Sequence, residues 1–114
     1  MTADRMRRVD EAVREVLSSA ISLKVKDPRV GFVTVTAVET TPDLRRARVF
    51  VSVLGDEGVR RRSMQGLESA HGILQRAVGR ELRLKHTPTL EFIYDDTSER
   101  GFRIAELIDR EAAE

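Results

Sequence analysis

The chain lacks cysteine and tryptophan, and it has only two histidines and few aromatic side chains. Without cysteine there is no disulfide framework, thiolate metal site or cysteine nucleophile, a composition typical of a cytoplasmic protein. The histidines, His71 and His86, are not spaced as a metal-ligand pair, so no metal site is predicted. Phosphate-loop, dinucleotide-binding and nucleophile-elbow motifs are also missing. We therefore predict no catalytic residue and no cofactor.

Long apolar runs are absent as well. No stretch approaches the roughly 18 to 20 apolar residues that a membrane-spanning helix needs, and the N-terminal sequence has no apolar signal-peptide core. With 114 residues, the chain suits one domain, which we predict over residues 1–114 with its core at about 5–108. Because aromatic residues make up only 4% of the chain, this core must consist of aliphatic side chains.

Two patterns of apolar residues define the first part of the chain. Between Arg5 and Ser22, apolar residues recur at steps of three and four, which predicts an amphipathic helix. Residues 32–38 and 47–53 alternate β-branched and polar side chains around a Thr-Pro-Asp turn at 41–43, which predicts a β-hairpin. The predicted buried face of this hairpin contains Val33, Val35, Ala37, Ala47, Val49, Val51 and Val53.

The second part predicts a broken helix, a strand and a last helix. Three glycines interrupt the helical pattern that starts at Val59, and each costs about 1 kcal/mol relative to alanine. We therefore predict a break at 70–72, followed by a strand at 90–94 and a helix capped by Ser98. The predicted fold is a single α+β domain of order α-β-β-α-kink-α-β-α. It has a mixed three-stranded sheet with helices on one face.

The formal net charge of +1 conceals an uneven distribution of charge. Residues 60–86 carry seven basic and two acidic side chains, whereas residues 87–114 carry three basic and eight acidic ones. Arg76, Arg80 and Arg83 are spaced to share one helical face beside the predicted break. Arginine binds phosphate, and glycine allows close approach of a nucleic-acid backbone, so the pattern is typical of nucleic-acid binding. A solvated helix face is the alternative interpretation.

Several ordered segments, which together cover almost the whole chain, resemble the ribosome-binding factor A family. They are KDPRVGFVTVTAVETTPDLRRARVFVSVLG, SAHGILQRAVGREL and LKHTPTLEFIYDDTSERGFRIAEL. The resemblance implies a type II KH-like fold in which an Ala-x-Gly kink, here Ala70-His71-Gly72, replaces the usual GxxG loop. It also implies a cytoplasmic, monomeric factor with no catalytic activity, cofactor, small-molecule substrate or membrane partner. This factor would bind the small ribosomal subunit and its rRNA in late maturation, supporting precursor processing and growth in the cold.

The predicted RNA-binding residues combine the kink with basic positions. Ala70 and Gly72 match the kink motif of the family, and the loops at 26–29 and 45–46 match its characteristic loops. The other basic residues are included on electrostatic grounds. The full set is Arg7, Arg8, Lys24, Lys26, Arg29, Arg45, Arg46, Ser69, Ala70, His71, Gly72, Arg76, Arg80, Arg83 and Lys85. A competing hypothesis is a protein-interaction module whose acidic last helix docks on a basic partner.

Overall fold

The elements follow one another in the predicted order as far as the structure describes them. The structure is a computed structural model that describes residues 3–96. The helices and strands are α1 (Ala3–Lys24), β1 (Phe32–Thr40), β2 (Arg46–Leu54), α2 (Glu57–Ser69), α3 (His71–Leu82) and β3 (Thr89–Tyr94). The predicted last helix, on which the competing hypothesis depends, lies outside the described residues. None of the helices within 3–96 is long and apolar enough to cross a membrane.

The three strands form one mixed sheet in the order β1-β2-β3. β1 and β2 are antiparallel, as expected for a hairpin, and β3 is parallel to β2 after the crossover through α2 and α3. The helices pack against the face of the sheet that carries Val35, Val49 and Val51. These observations confirm the α+β class and the mixed sheet, and the KH-like assignment is compatible with them.

The core is aliphatic, as the composition predicts. Its fully buried side chains come from the helices and the sheet alike, with Val13 and Leu17 on α1 and Leu74 and Val78 on α3. Asp56 fixes the start of α2, because its carboxylate accepts a hydrogen bond from the Val59 N–H at 2.9 Å. Leu67, Ala70, Leu74 and Val78, which recur at helical spacing along the two helices, all lie in this core.

The prediction that Ala37 lies on the buried face of the hairpin is wrong. Val35 pairs with Val51 and Ala37 pairs with Phe50, so β1 has one extra residue, Thr36, at this point. This bulge turns Ala37 to the exposed side and brings Val38 into the core. Strict alternation of side chains fails wherever a strand contains such a bulge. On an edge strand such as β1, the bulge also hinders pairing with another chain.

Of the three glycines that the sequence places within the broken helix, Gly66 and Gly79 mark close approaches rather than the break. A Cβ atom at Gly66 would lie 2.5 Å from Val30 Cγ2, in the loop of residues 25–31 that packs on α2. A Cβ atom at Gly79 would lie 2.5 Å from the Oγ1 atom of Thr87, a residue of the connection between α3 and β3. The loop is further attached where the Gly31 N–H donates to the buried Ser63 Oγ at 3.1 Å. These glycines let both connections pack directly against the helices.

Candidate nucleic-acid interface

The break between α2 and α3 lies where the sequence predicts it. Ala70 has φ −86° and ψ 5°, which ends the first helix. Its N–H donates to the carbonyls of Gly66 and Leu67 at 3.0 and 3.1 Å, and its carbonyl accepts from the Leu74 N–H at 3.0 Å. Because α3 starts afresh at His71, the N–H groups of its first turn have no acceptor within the helix. They form the positive end of the helix dipole, which attracts anions.

Gly72 and Arg76 complete the surface at the start of α3. Gly72 is exposed, and a Cβ atom there would lie 3.5 Å from Arg76 Nη1. The guanidinium group of Arg76 therefore lies beside Gly72 in the first turn of α3. A phosphate group that approaches this turn meets backbone N–H donors and a fixed positive charge together. This arrangement is suited to holding one phosphate of a nucleic-acid backbone.

The loop of residues 25–31 reaches the same break through Arg29. Arg29 Nη2 donates to Ser69 Oγ at 2.9 Å and to Asp27 Oδ2 at 2.6 Å. The hydrogen bonds from the Arg29 side chain, and then from its backbone N–H, lower the pKa of Asp27 to about 2. Asp27 thus offsets much of the positive charge of Arg29, which ties the loop to the end of α2. Lys26, in the same loop, is exposed.

We expect the carboxyl group of Asp27 to titrate with a pKa of about 2, below its ordinary 3.8. Because the folded-state pKa is the lower one, this interaction stabilises the fold above pH 3.8. The stabilisation is lost as the pH falls from 3.8 towards 2. Carboxyl NMR titration measures this value, and Arg29→Ala should return it towards 3.8. The pKa of Asp43, lowered mainly by Thr41, is the internal control. An unchanged Asp27 value in that variant would contradict the assignment.

A second basic group lies at the other end of α3. Parallel pairing sets Arg46 opposite Thr89, whose N–H donates to the Arg45 carbonyl at 2.8 Å. Arg45 and His86 consequently line one small surface pocket. His86 is absent from the predicted RNA-binding residues, and only its position beside Lys85 could have indicated it. The hairpin turn and the loop after α3 thus meet at one end of the molecule.

Exposed arginines on α3 connect these two ends. Twelve residues make α3 about 18 Å long, and Arg83 follows it in the left-handed conformation, with φ 49°. We define the basic stripe as the exposed residues Arg45, Arg76, Arg80, Arg83 and Lys85. It extends from the break towards the hairpin turn, with Arg76 and Arg80 one turn apart on α3 and Arg83 just after the helix. Arg46, the first residue of β2, is exposed near its hairpin end.

Other predicted residues lie away from the basic stripe. Arg7 is 3.6 Å from Asp4 and lines a groove between α1 and β1. Arg8 is exposed on α1, and Lys24 is the last residue of that helix. Ala70 is only 7% exposed, so its side chain packs in the core. Arg7, Arg8 and Lys24 therefore belong to other surfaces, and Ala70 contributes to the break through its backbone.

His71 joins the break to the sheet. Its Nε2 atom lies 3.0 Å from the Leu90 carbonyl oxygen, and its ring meets the ring of Phe92 edge to face at 6.5 Å. The imidazole is therefore directed towards β3, and it fixes the start of α3 relative to the sheet. Among residues 3–96, no group of three or more histidine or acidic residues could hold a metal ion.

We expect His71→Ala to lower the free energy of unfolding by about 1 to 2 kcal/mol, because a half-buried hydrogen bond and an aromatic contact are both lost. The exposed histidine provides the control, and His86→Ala should change stability by less than about 0.5 kcal/mol. Urea unfolding followed by circular dichroism measures both variants. Equal stabilities for the two would show that the contact of His71 with β3 does not hold the break in place.

The structure defines a small α+β protein with exposed basic residues along a helix that follows a break. The family model for ribosome-binding factor A matches residues 5–108. The chain therefore belongs to the ribosome-binding factor A family. That match includes both helices at the break and the whole sheet.

Individual relatives agree with this assignment. Ribosome-binding factor A of Halothermothrix orenii is 46% identical over 108 residues, which cover 95% of this chain and 88% of the relative. The crystal structure of ribosome-binding factor A from Thermus thermophilus matches with a TM-score of 0.69 and 26% identity. That match covers 78% of this chain and 94% of the other. A homology model of the Thermus thermophilus factor, fitted into the cryo-electron microscopy map of its complex with the 30S subunit, has a TM-score of 0.63. Its identity is 28%, covering 77% of this chain and 92% of the other.

Proposed function

We propose that this protein is a ribosome-assembly factor that binds the small ribosomal subunit through its rRNA during late maturation and supports processing of the rRNA precursor. Membership of the ribosome-binding factor A family supports this function, as does the fitting of the Thermus thermophilus factor into a 30S complex. We propose further that it acts as a cytoplasmic monomer with a single KH-like domain over residues 1–114, and that it aids growth in the cold.

The start of α3 is the observation that carries this proposal. The start of this helix has no side-chain cap, and the exposed Gly72 in its first turn lies beside the guanidinium of Arg76, so an RNA phosphate can approach both. The basic stripe then offers further positive charges along α3 for neighbouring phosphates. Contacts to phosphates position an RNA without reading its sequence, so recognition depends on the shape of the RNA.

We propose binding without a catalytic step. In the sequence, Asp95 and Asp96 are the best candidates for paired acid and base groups. The Asp95 carboxylate, however, accepts a hydrogen bond from the Thr36 hydroxyl at 2.7 Å. The backbone N–H of Asp95 donates to the Val51 carbonyl at 2.8 Å. These contacts anchor the end of β3 across the sheet to the bulge in β1. Asp95 therefore has a structural explanation that needs no substrate.

The salt dependence of binding to purified immature small subunits tests the function. Binding through phosphates releases counterions, so the logarithm of the association constant should fall linearly with the logarithm of the salt concentration. If the stripe neutralises about four phosphates, we expect a slope of roughly −3 for single-stranded segments. Co-sedimentation at a series of salt concentrations measures it. A slope near zero, or no co-sedimentation at low salt, would contradict the proposal.

A further inference from the structure

A groove of about 360 Å³ runs between α1 and α3 on a different side of α3 from the basic stripe. Its volume is at the lower end of the range for binding pockets in proteins. The buried side chains of Ala20 and Ala77 form its floor, with the half-buried Val16 beside them. Leu23 lines the same groove and is 70% exposed, so it adds to the apolar surface of the groove. The groove therefore offers an apolar surface that nothing within residues 3–96 covers.

Carboxylate groups lie along both sides of this groove. Glu15 on α1 and Glu81 on α3 are exposed, and neither forms an ion pair with any residue of 3–96. Lys24 lines the groove too, at the last residue of α1, where the helix dipole favours a cation. The two carboxylates repel phosphate and attract cationic side chains. The groove is thus unsuited to RNA and suited to a basic protein segment.

Helix geometry keeps this groove apart from the basic stripe. Successive residues of a helix point about 100° apart, so Arg76 and Arg80 lie about 100° and about 60° to one side of Ala77 around α3, whereas Glu81 lies about 40° to the other side. One helix consequently presents a basic surface and an apolar, acidic-sided surface next to each other. RNA bound on the first would leave the second open to another partner.

We propose that the groove between α1 and α3 binds a segment of another protein that presents one or two apolar side chains flanked by lysine or arginine. The apolar side chains pack on Ala20, Ala77 and Leu23, and the cationic ones pair with Glu15 and Glu81. This inference goes beyond the proposed binding of rRNA, because it uses different residues and a ligand of opposite charge.

A synthetic peptide tests the proposal on the full chain in the absence of ribosomes. The probe is a short fluorescein-labelled helical peptide with two leucines one turn apart and lysines beside them. We expect it to shift the amide NMR signals of residues around Ala20 and Ala77. Fluorescence anisotropy should show about tenfold tighter binding than for a matched peptide with glutamate in place of each lysine.

Charge variants of the protein supply the matched comparison. Glu15→Lys combined with Glu81→Lys should abolish the preference for the lysine peptide. Glu68→Lys, an exposed carboxylate change on α2 away from the groove, should leave that preference unchanged. Leu23→Ser should weaken binding of the lysine peptide severalfold without unfolding the protein, because this side chain is already exposed.

Four results would each overturn the proposal. Equal affinity for the two peptides would remove the role of the carboxylates, and NMR shifts confined to other surfaces would remove the role of the groove. Shifts of the groove signals on addition of an RNA oligonucleotide would assign the surface to nucleic acid. A dimer in analytical ultracentrifugation that Leu23→Ser dissociates would assign it to a second copy of this chain.

Discussion

Replacing both Arg76 and Arg80 with glutamate should weaken binding to immature small subunits about a hundredfold near 0.1 M salt. Each substitution removes a phosphate contact and adds a repelling charge, and a loss of about 1.4 kcal/mol per position gives a tenfold change for each. The variant should also show a shallower salt dependence, because fewer counterions are released. Both side chains are exposed, so the thermal midpoint should change little.

The matched control for net charge is Arg61→Glu combined with Arg62→Glu. These arginines are exposed on α2 and lie outside the basic stripe. Since this variant has the same net charge as the first, a purely nonspecific attraction would weaken binding equally in both. We expect the α2 variant to lose much less affinity in co-sedimentation. Equal losses would show that the basic stripe has no special role.

Gly66→Val should be strongly destabilising, with a loss of about 3 kcal/mol in the free energy of unfolding. Its Cβ atom would lie 2.5 Å from the stiff, branched side chain of Val30, so either the loop of residues 25–31 or the helix must move. Movement of the loop also strains the hydrogen bond between Gly31 and Ser63. Thermal unfolding should show a midpoint lower by roughly 12 °C or more.

Gly72→Val provides the comparison, because Gly72 is exposed and a Cβ atom there would lie 3.5 Å from the nearest side-chain atom. Its stability should change by less than about 1 kcal/mol, since valine is a slightly better helix former than glycine. Binding to small subunits should nevertheless weaken, because the side chain occupies the space beside Arg76. If Gly72→Val were the less stable of the two, the roles assigned to these glycines would be reversed.

At the glycines of the broken helix, the sequence predicts the break but not the tertiary contacts. Three glycines within one helical pattern predict a break, and the Ala-x-Gly pattern locates this break correctly at Ala70. Nothing local distinguishes Gly66 and Gly79 from Gly72, because their partners, Val30 and Thr87, are brought to them only by the folded chain. The sequence shows that Gly66 and Gly79 are glycines, but the reason that glycine is needed there is a contact between distant parts of the chain.

Ala37 and Arg29 illustrate two further limits of local patterns. The alternation of side chains in β1 continues through Ala37, and the bulge that turns it outward depends on pairing with β2. The charge of Arg29 suggests a phosphate contact, yet its guanidinium is largely committed to Asp27 and Ser69. Helical spacing does apply to Arg76 and Arg80, which are four residues apart on α3, but it does not place Arg83, which follows the helix with φ 49°.

Arg83 has an additional consequence for how this protein could change. Its left-handed backbone at the end of α3, with φ 49°, is a conformation that glycine adopts without the steric cost that a side chain incurs, about 1 kcal/mol. Selection for heat resistance alone would therefore favour glycine at this position, at the expense of one positive charge in the basic stripe. At this residue the left-handed backbone favours glycine, whereas the proposed contact with RNA favours arginine.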